Sequence, residues 1–267
     1  MSAAAAEVEK APGFLANLGE SVLDIATIAG GMTLLGFKVL HRLVTFKFDR
    51  LELLRNVERM GVRSIPIVIV TALFTGAIMV LQAAPLVQRF GAHGLLGWGA
   101  GFGTLREVAP LLTALMINGR VGANNTAELG TMVVTEQIDA LRILAIDPIA
   151  FLVAPRTVAI VVTLFLATVF ADVLALTGAA YAGWAILGVE PGLFYNGLTS
   201  GLLGIGDVVT GLVKSVVFGI VMALASCQFG LTVEGGAPGV GRAVNATVVA
   251  TATGIFILDY FVSFTLP

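Results

Sequence analysis

The feature that most constrains this chain is a long run without a charged residue, residues 66–88. A bilayer core about 30 Å thick is crossed by a helix of roughly 20 mostly apolar residues, so this run predicts a membrane-spanning helix. The composition agrees: 57% of the 267 residues are hydrophobic and 12% are charged, whereas about 25% are charged in a typical soluble domain. So little polar surface argues against a soluble enzyme, a nucleic-acid-binding protein or a disordered chain.

Four further apolar segments are long enough to cross a bilayer. We therefore expect an all-α integral membrane protein with five transmembrane helices. The four additional predicted spans cover about residues 99–123, 157–187, 208–233 and 243–266.

The N-terminal part of the chain has a different character. Residues 25–37 are uncharged, but this stretch is short for a crossing, and Gly30 and Gly31 weaken its middle. An interfacial or re-entrant helix within residues 14–45 fits better than a sixth span. We accordingly predict an N-terminal cytoplasmic or interfacial segment, residues 1–63, followed by a five-span domain, residues 64–267.

Positive charges predict the orientation, because cytoplasmic loops of membrane proteins are enriched in Lys and Arg. One side of the predicted bundle carries Arg142, Arg156 and Arg242, whereas the first loop on the other side has only Arg89. This pattern predicts an N-terminus inside and a C-terminus outside. The N-terminal segment adds seven more basic residues to the inner side: Lys38, Arg42, Lys47, Arg50, Arg55, Arg59 and Arg63.

Charged residues within the predicted spans form one candidate site. Counting 1.5 Å per residue from the inner ends places Glu107, Asp172 and Asp259 about 20 to 24 Å up. Arg106 and Lys214 fall at a similar level. Ionisable groups at such depth usually pair or face a cavity. They could instead form an ion cluster that only fixes helix packing, or reach the outer interface.

A second candidate site follows the second predicted span. Residues 135–145 predict a short amphipathic helix with Ile138, Leu141 and Ala145 on one face. Such a helix on the cytoplasmic side either docks into a partner or lies on the membrane surface. The chain itself contains no G-x-x-x-x-G-K-[ST] motif, so we expect no ATP hydrolysis by that route. We also expect no metal site, because His41 and His93 fall on opposite sides.

Several sequence motifs resemble those of the MlaE/YrbE family, in order and over roughly residues 50–265. One departure is the pair Asn124 and Asn125, where small apolar residues are expected. The matching motifs are LREVAP at 105–110, NGRVG at 118–122, AELGTM at 127–132, TEQIDAL at 135–141, DP at 147–148, PR at 155–156, KSVVFG at 214–219 and GGAPGVGRAV at 235–244.

The resemblance implies a permease subunit of an ABC transporter that moves lipids together with MCE-domain proteins. It implies five spans after an interfacial helix and a homodimer in the bacterial inner membrane, although some systems of the family pair two different permease chains. It further implies two ATPase subunits that bind ATP and Mg²⁺, and an MCE assembly on the periplasmic side. A STAS-domain protein accompanies the ATPase in some systems. The role implied is trafficking of phospholipids that maintains outer-membrane lipid asymmetry, with no catalytic residue or cofactor in this chain.

Together, the intramembrane charges and the resemblance predict two sets of functional residues. In the first, apolar residues of the first span contact acyl chains, Arg106 and Lys214 meet the headgroup, and two carboxylates balance these cations. The predicted lipid-binding residues are Leu73, Leu81, Gln82, Leu86, Arg106, Glu107, Asp172 and Lys214. The residues expected to couple to the ATPase, in a coupling helix at about 127–147, are Glu128, Thr135, Glu136, Asp139, Arg142 and Asp147.

Two other functions remain open on the sequence. A stand-alone ion-coupled secondary transporter would use the intramembrane carboxylates as a proton relay. A membrane anchor for a peripheral complex would need the charges for assembly alone.

Overall fold

A computed structural model describes residues 14–45, 49–91 and 93–266, and every regular element in these ranges is helical. Two helices precede the first predicted span, and short helices connect the longer ones. The α-helices are α1 (Phe14–Val44), α2 (Arg50–Val62), α3 (Ile65–Phe90), α4 (Leu96–Gly103), α5 (Ala109–Ile117), α6 (Ala123–Val134), α7 (Gln137–Ile143), α8 (Ala154–Leu187), α9 (Pro191–Leu198), α10 (Ile205–Leu231) and α11 (Gly236–Thr265).

Three π-helical turns, Thr104–Val108, Asn118–Gly122 and Ile149–Val153, join α4 to α5, join α5 to α6 and lead into α8. Because these turns continue the helical path, the second and third spans are longer than the sequence predicted. The helix of the second span continues past its predicted end near residue 123 as far as Val134.

Five helical segments of the described ranges are long and apolar enough to cross a membrane, which confirms the predicted number. The N-terminal helix α1 is not among them. These segments are Ile65–Pro85, His93–Val134, Ile149–Leu187, Ile205–Leu231 and Gly236–Thr265.

Helix α8 lies at the centre of the bundle and packs against α2, α3, α5 and α10. Its contact with α3 is a contact between backbones. A Cβ added at Gly76 would overlap the carbonyl oxygen of Ala175, and one at Gly178 would overlap that of Leu73. Small residues at these positions allow two helices to approach closely in lipid.

The N-terminal helix α1 packs on the predicted cytoplasmic end of the bundle. Leu35 and Val39 of α1 belong to a buried cluster with Leu129, Ile138 and Cys227. Its position on or in a membrane stays a prediction.

The predicted amphipathic helix at 135–145 is shorter in the structure, at Gln137–Ile143. The left-handed backbone of Glu136 and Ala145, both at φ 58°, bounds it at either end. Ile138 is buried as expected. The assignment of Ala145 to the same face was wrong, because the backbone reverses there and leaves this residue exposed.

Candidate functional site

The π-helical turn Thr104–Val108 carries the adjacent charges Arg106 and Glu107. Turns of this kind insert one extra residue into a helix and often occur at functional sites. Here the two neighbouring side chains bind different partners. Arg106 contacts the start of α10 and the end of α11. Glu107 contacts Lys214, two turns further along α10, and Ser263, in the last turn of α11.

Lys214 is the centre of the first charge cluster. Its Nζ forms ion pairs with Oε2 of Glu107 and, at 3.0 Å, with Oδ1 of Asp259. Ser263 donates a hydrogen bond of 3.2 Å to the other oxygen of Glu107. The Lys214 side chain is 0% exposed, whereas that of Glu107 is 37% exposed. The cluster therefore joins three spans around a cation that is shielded from any surface of this chain.

Arg106 forms the second charge cluster. Its Nη1 lies 2.9 Å from Oδ1 of Asp207, and its Nη2 donates a hydrogen bond of 2.7 Å to the carbonyl oxygen of Leu266. The guanidinium also lies over the ring of Phe102, 5.5 Å from its centroid. Asp207 in turn accepts a 2.9 Å hydrogen bond from the backbone N–H of Gly204, at the start of α10.

Asp172 is not part of either cluster. It is buried in α8, its Oδ1 has no hydrogen-bond partner, and it forms no ion pair with any residue of the described ranges. The carboxylates that balance the two cations are therefore Glu107, Asp259 and Asp207. The expectation that Asp172 balances a cation is corrected on this point, because Asp172 is not an ion-pair partner of Arg106 or Lys214.

The predicted residues of the first span lie on α3, which contacts the π-helical turn Thr104–Val108. Met79 of α3 lies next to Gly103 at the end of α4. Leu73 is half-buried, and Leu81 and Gln82 are exposed. The side chain of Leu86 lies outside the described part of the structure. Contact of these residues with acyl chains stays a prediction.

A buried polar network joins α6, α8 and α10 near the predicted cytoplasmic end. Nη1 of Arg156 lies 3.0 Å from Oδ1 of Asn125 and 3.2 Å from Oε2 of Glu128. Asn125, which is fully buried, donates a 2.9 Å hydrogen bond to Oγ of Ser226. The asparagine that departs from the family pattern thus connects a buried arginine to α10.

Glu128 also forms contacts outside this network. Arg59 of α2 pairs with its Oε1, and Asn124 donates a hydrogen bond of 2.7 Å to the same atom. This predicted coupling residue consequently ties α2 and α8 to α6.

The other predicted coupling residues lie on or beside α7. Asp139 and Arg142 form an exposed ion pair of 2.8 Å, with side chains 62% and 66% exposed. Thr135 ends α6 and donates a hydrogen bond to the carbonyl oxygen of Thr131, and Glu136 leads into α7. A role in coupling stays a prediction for all of them.

Asp147 has two contacts within the chain. Its carboxylate pairs with Arg42 of α1 at 2.7 Å and accepts a 3.0 Å hydrogen bond from the N–H of Ile149. The ion pair with Arg42 therefore connects the N-terminal helix to the segment between α7 and α8.

Sequence reasoning missed Asp207, Arg156 and Asn125 as parts of these clusters. One signal was available: Asp207 and Lys214 are seven residues apart, two turns of one helix, so they lie on the same face. The pairing of Arg156 with Asn125 depends on the contact between two helices, which has no counterpart in the spacing of the sequence.

The bundle of long apolar helices with ion pairs between them defines a multi-pass helical membrane protein. The family model described as "Permease MlaE" matches residues 53–265. The chain belongs to this MlaE permease family, as its motifs indicated.

Curated relatives agree over most of the chain. A probable ABC transporter permease protein of Synechocystis is 36% identical over 217 residues, which cover 81% of this chain and 82% of the relative. A probable ABC transporter permease protein of Rickettsia typhi is 34% identical over 250 residues, 93% of this chain and 96% of the relative. The chloroplastic protein TRIGALACTOSYLDIACYLGLYCEROL 1 of Arabidopsis thaliana is 32% identical over 241 residues, 90% of this chain and 67% of the relative.

Proposed function

We propose that this chain is the permease subunit of an ABC transporter that moves phospholipids or related lipids between the bacterial inner membrane and an MCE protein. Membership of the MlaE permease family and relatives named as ABC transporter permeases support the class. A relative named after trigalactosyldiacylglycerol, a glycolipid, supports a lipid as the substrate. The proposed complex is a homodimer of this chain with ATPase subunits that bind ATP and Mg²⁺, and with an MCE assembly outside.

The observation that carries the proposal is the pair of charge clusters around Arg106 and Lys214, which link the second span to α10 and α11. A phosphate can form paired hydrogen bonds to a guanidinium and would compete with Asp207 for Arg106. Lys214 is buried in this conformation and pairs with Glu107 and Asp259. It would contact a headgroup directly only when the three spans separate. Acyl chains would lie along Leu73, Leu81, Gln82 and Leu86 of the first span.

Helix α7 is the proposed contact to the ATPase. Beside the exposed pair of Asp139 and Arg142, the apolar side chains of Ile143 and Leu144 are 85% and 69% exposed. Exposed apolar groups of this size are typical of a surface that a partner covers. Movement of α7 would be transmitted to α1 through the ion pair of Asp147 with Arg42. It would be transmitted to α8 through the ion pair of Glu128 with Arg156.

A stand-alone ion-coupled transporter is the second candidate, and the burial of Asp172 favours it. A carboxylate inside a membrane helix without an ion partner in the described structure is a typical proton-binding group. This function predicts transport by this chain alone, driven by an ion gradient.

Affinity purification of the tagged chain from its native cells in mild detergent tests the proposal, with mass spectrometry of proteins and lipids. We expect a P-loop ATPase, an MCE-domain protein and bound phospholipid, together with a STAS-domain protein where the system includes one. Recovery of the chain without any nucleotide-binding protein would contradict the ABC transporter and favour the second candidate.

A further inference from the structure

An apolar crevice lies between α2, α3 and α8, at the end of the bundle predicted to be cytoplasmic. Its volume is about 310 Å³, at the lower end of the roughly 300–1,000 Å³ typical of ligand sites. It is partly open to the outside of the bundle. The apolar residues that line it include Val57, Val62, Val68, Leu166, Ala167 and Phe170.

A basic pocket of about 240 Å³ adjoins this crevice. Three arginines line it, and one of them, Arg59, is neutralised by Glu128. The other two, Arg63 and Arg120, are exposed and form no ion pair or side-chain hydrogen bond with residues of the described ranges. The pocket therefore has two cations whose charge no carboxylate of the described structure balances.

The two hollows meet at Ser64, which lines both. Ser64 is buried and its hydroxyl donates a hydrogen bond of 2.7 Å to the carbonyl oxygen of Met60. The hydroxyl is thus already satisfied, and Ser64 forms a fixed part of the lining that the apolar crevice and the basic pocket share. On the apolar side, the exposed carboxylate of Glu58 also lines the crevice, which disfavours an anion there.

We propose that these adjoining hollows bind one anionic phospholipid from the cytoplasmic leaflet. Its phosphate lies between Arg63 and Arg120, and one acyl chain occupies the crevice along Leu166 and Phe170. Guanidinium groups match a phosphate in charge and geometry, and the repulsion by Glu58 keeps the headgroup on the basic side. This site is separate from the clusters around Arg106 and Lys214 and goes beyond the proposed function, since it assigns a lipid to the other end of the bundle.

Photolabelling tests the crevice. The full chain is placed in phosphatidylcholine nanodiscs containing phosphatidylglycerol with a diazirine on its acyl chain. After irradiation, labelled peptides are identified by mass spectrometry. We expect labels within residues 57–68 and 163–170. Ala167→Trp fills the crevice and should lower this labelling at least fivefold, whereas Val173→Trp, on an exposed position of the same helix, should leave it unchanged.

Leu166→Trp provides a second filling variant, because Leu166 is 54% exposed at the crevice and tolerates a larger side chain. Each variant is used once size-exclusion chromatography shows the wild-type profile. Equal labelling in Leu166→Trp and Val173→Trp would overturn the site, as would labels spread evenly over the exposed apolar faces.

The headgroup is tested with the double variant Arg63→Gln and Arg120→Gln. In wild type, phosphatidylglycerol should label the crevice at least threefold more than phosphatidylcholine with the same diazirine chain, and the double variant should abolish this preference. Arg89→Gln, at the far end of α3, is the matched control. Equal labelling by both lipids in wild type would refute an anionic headgroup site. None of these measurements needs an ATPase. The lipid site can therefore be refuted while the proposed transport function stands, and the transport function can be refuted while the lipid site stands.

Discussion

Removal of the buried cation Lys214 is the sharpest test of how its charge cluster stabilises the bundle. In Lys214→Met, the carboxylates of Glu107 and Asp259 lose their common partner while they stay close together. Breaking a buried ion pair by removing one partner costs about 3–5 kcal/mol. Because Glu107 is 37% exposed and water screens its charge, we expect a cost of about 3 kcal/mol.

This loss is measurable as a change in Tm of the purified protein in mild detergent, followed by tryptophan fluorescence. Each 1 kcal/mol lowers Tm by roughly 2–4 °C in a protein of 150–250 residues, so the variant should melt about 6–12 °C below wild type. Lys38→Met, at an exposed lysine without an ion pair in the described ranges, is the control and should melt within about 2 °C of wild type.

Neutralising the whole cluster distinguishes lost charge balance from lost packing. A triple variant with Lys214→Met, Glu107→Gln and Asp259→Asn carries no uncompensated charge, and apolar or neutral replacement of a buried pair is often neutral or stabilising. We expect the triple variant to recover most of the lost Tm. An unchanged Tm in Lys214→Met, or a triple variant that melts lower still, would refute the reasoning.

Three further predictions concern other parts of the molecule. Gly76→Leu should abolish the monodisperse peak in size-exclusion chromatography, because its Cβ would overlap a carbonyl oxygen of α8, whereas Gly99→Leu, with nothing within 4 Å, should retain it. Asp147→Asn removes the ion pair to Arg42 and should raise hydrogen exchange in α1 with the exchange of α8 unchanged; equal exchange in both proteins would contradict this anchoring. Asp139→Lys should lower the amount of ATPase that co-purifies with the chain at least threefold without a change in Tm, and normal recovery would argue against α7 as the contact.

The number of spans could be predicted from the sequence because bilayer thickness sets a minimum length for an apolar helix. The residues at which the spans begin and end could not be predicted in the same way. The second span was predicted to end near residue 123, yet its helix continues to Val134 through two asparagines and a glycine, and tertiary contacts of α6 with α10 and α11 hold it in place. Local preference is weak compared with packing of this kind.

The candidate site could be predicted in part for the same reason. Depth along a helix follows from residue counting, so the shared level of Glu107 and Lys214 was accessible. Which carboxylate faces which cation depends on how each helix is rotated about its axis. Asp172 was therefore assigned to the cluster, whereas Asp207 was omitted although it binds Arg106.

The buried network at the other end shows the same limit. Asn125 is fully buried and links Arg156 to Ser226, across three helices that are distant in sequence. A single sequence presents each of these polar residues separately. Their common function is to satisfy one another's hydrogen-bonding groups inside the bundle. This function becomes visible only in the packing of α6, α8 and α10.

ATP-dependent lipid transfer measures the central claim most directly. The complex purified through this chain is reconstituted in proteoliposomes with fluorescent phospholipid, and transfer to or from the co-purified MCE protein is followed with and without ATP. We predict transfer that requires ATP and falls at least tenfold in Arg106→Glu, with the complex still assembled. Transfer by the chain alone under a proton gradient, unaffected by ATP, would contradict a lipid permease of the ABC class.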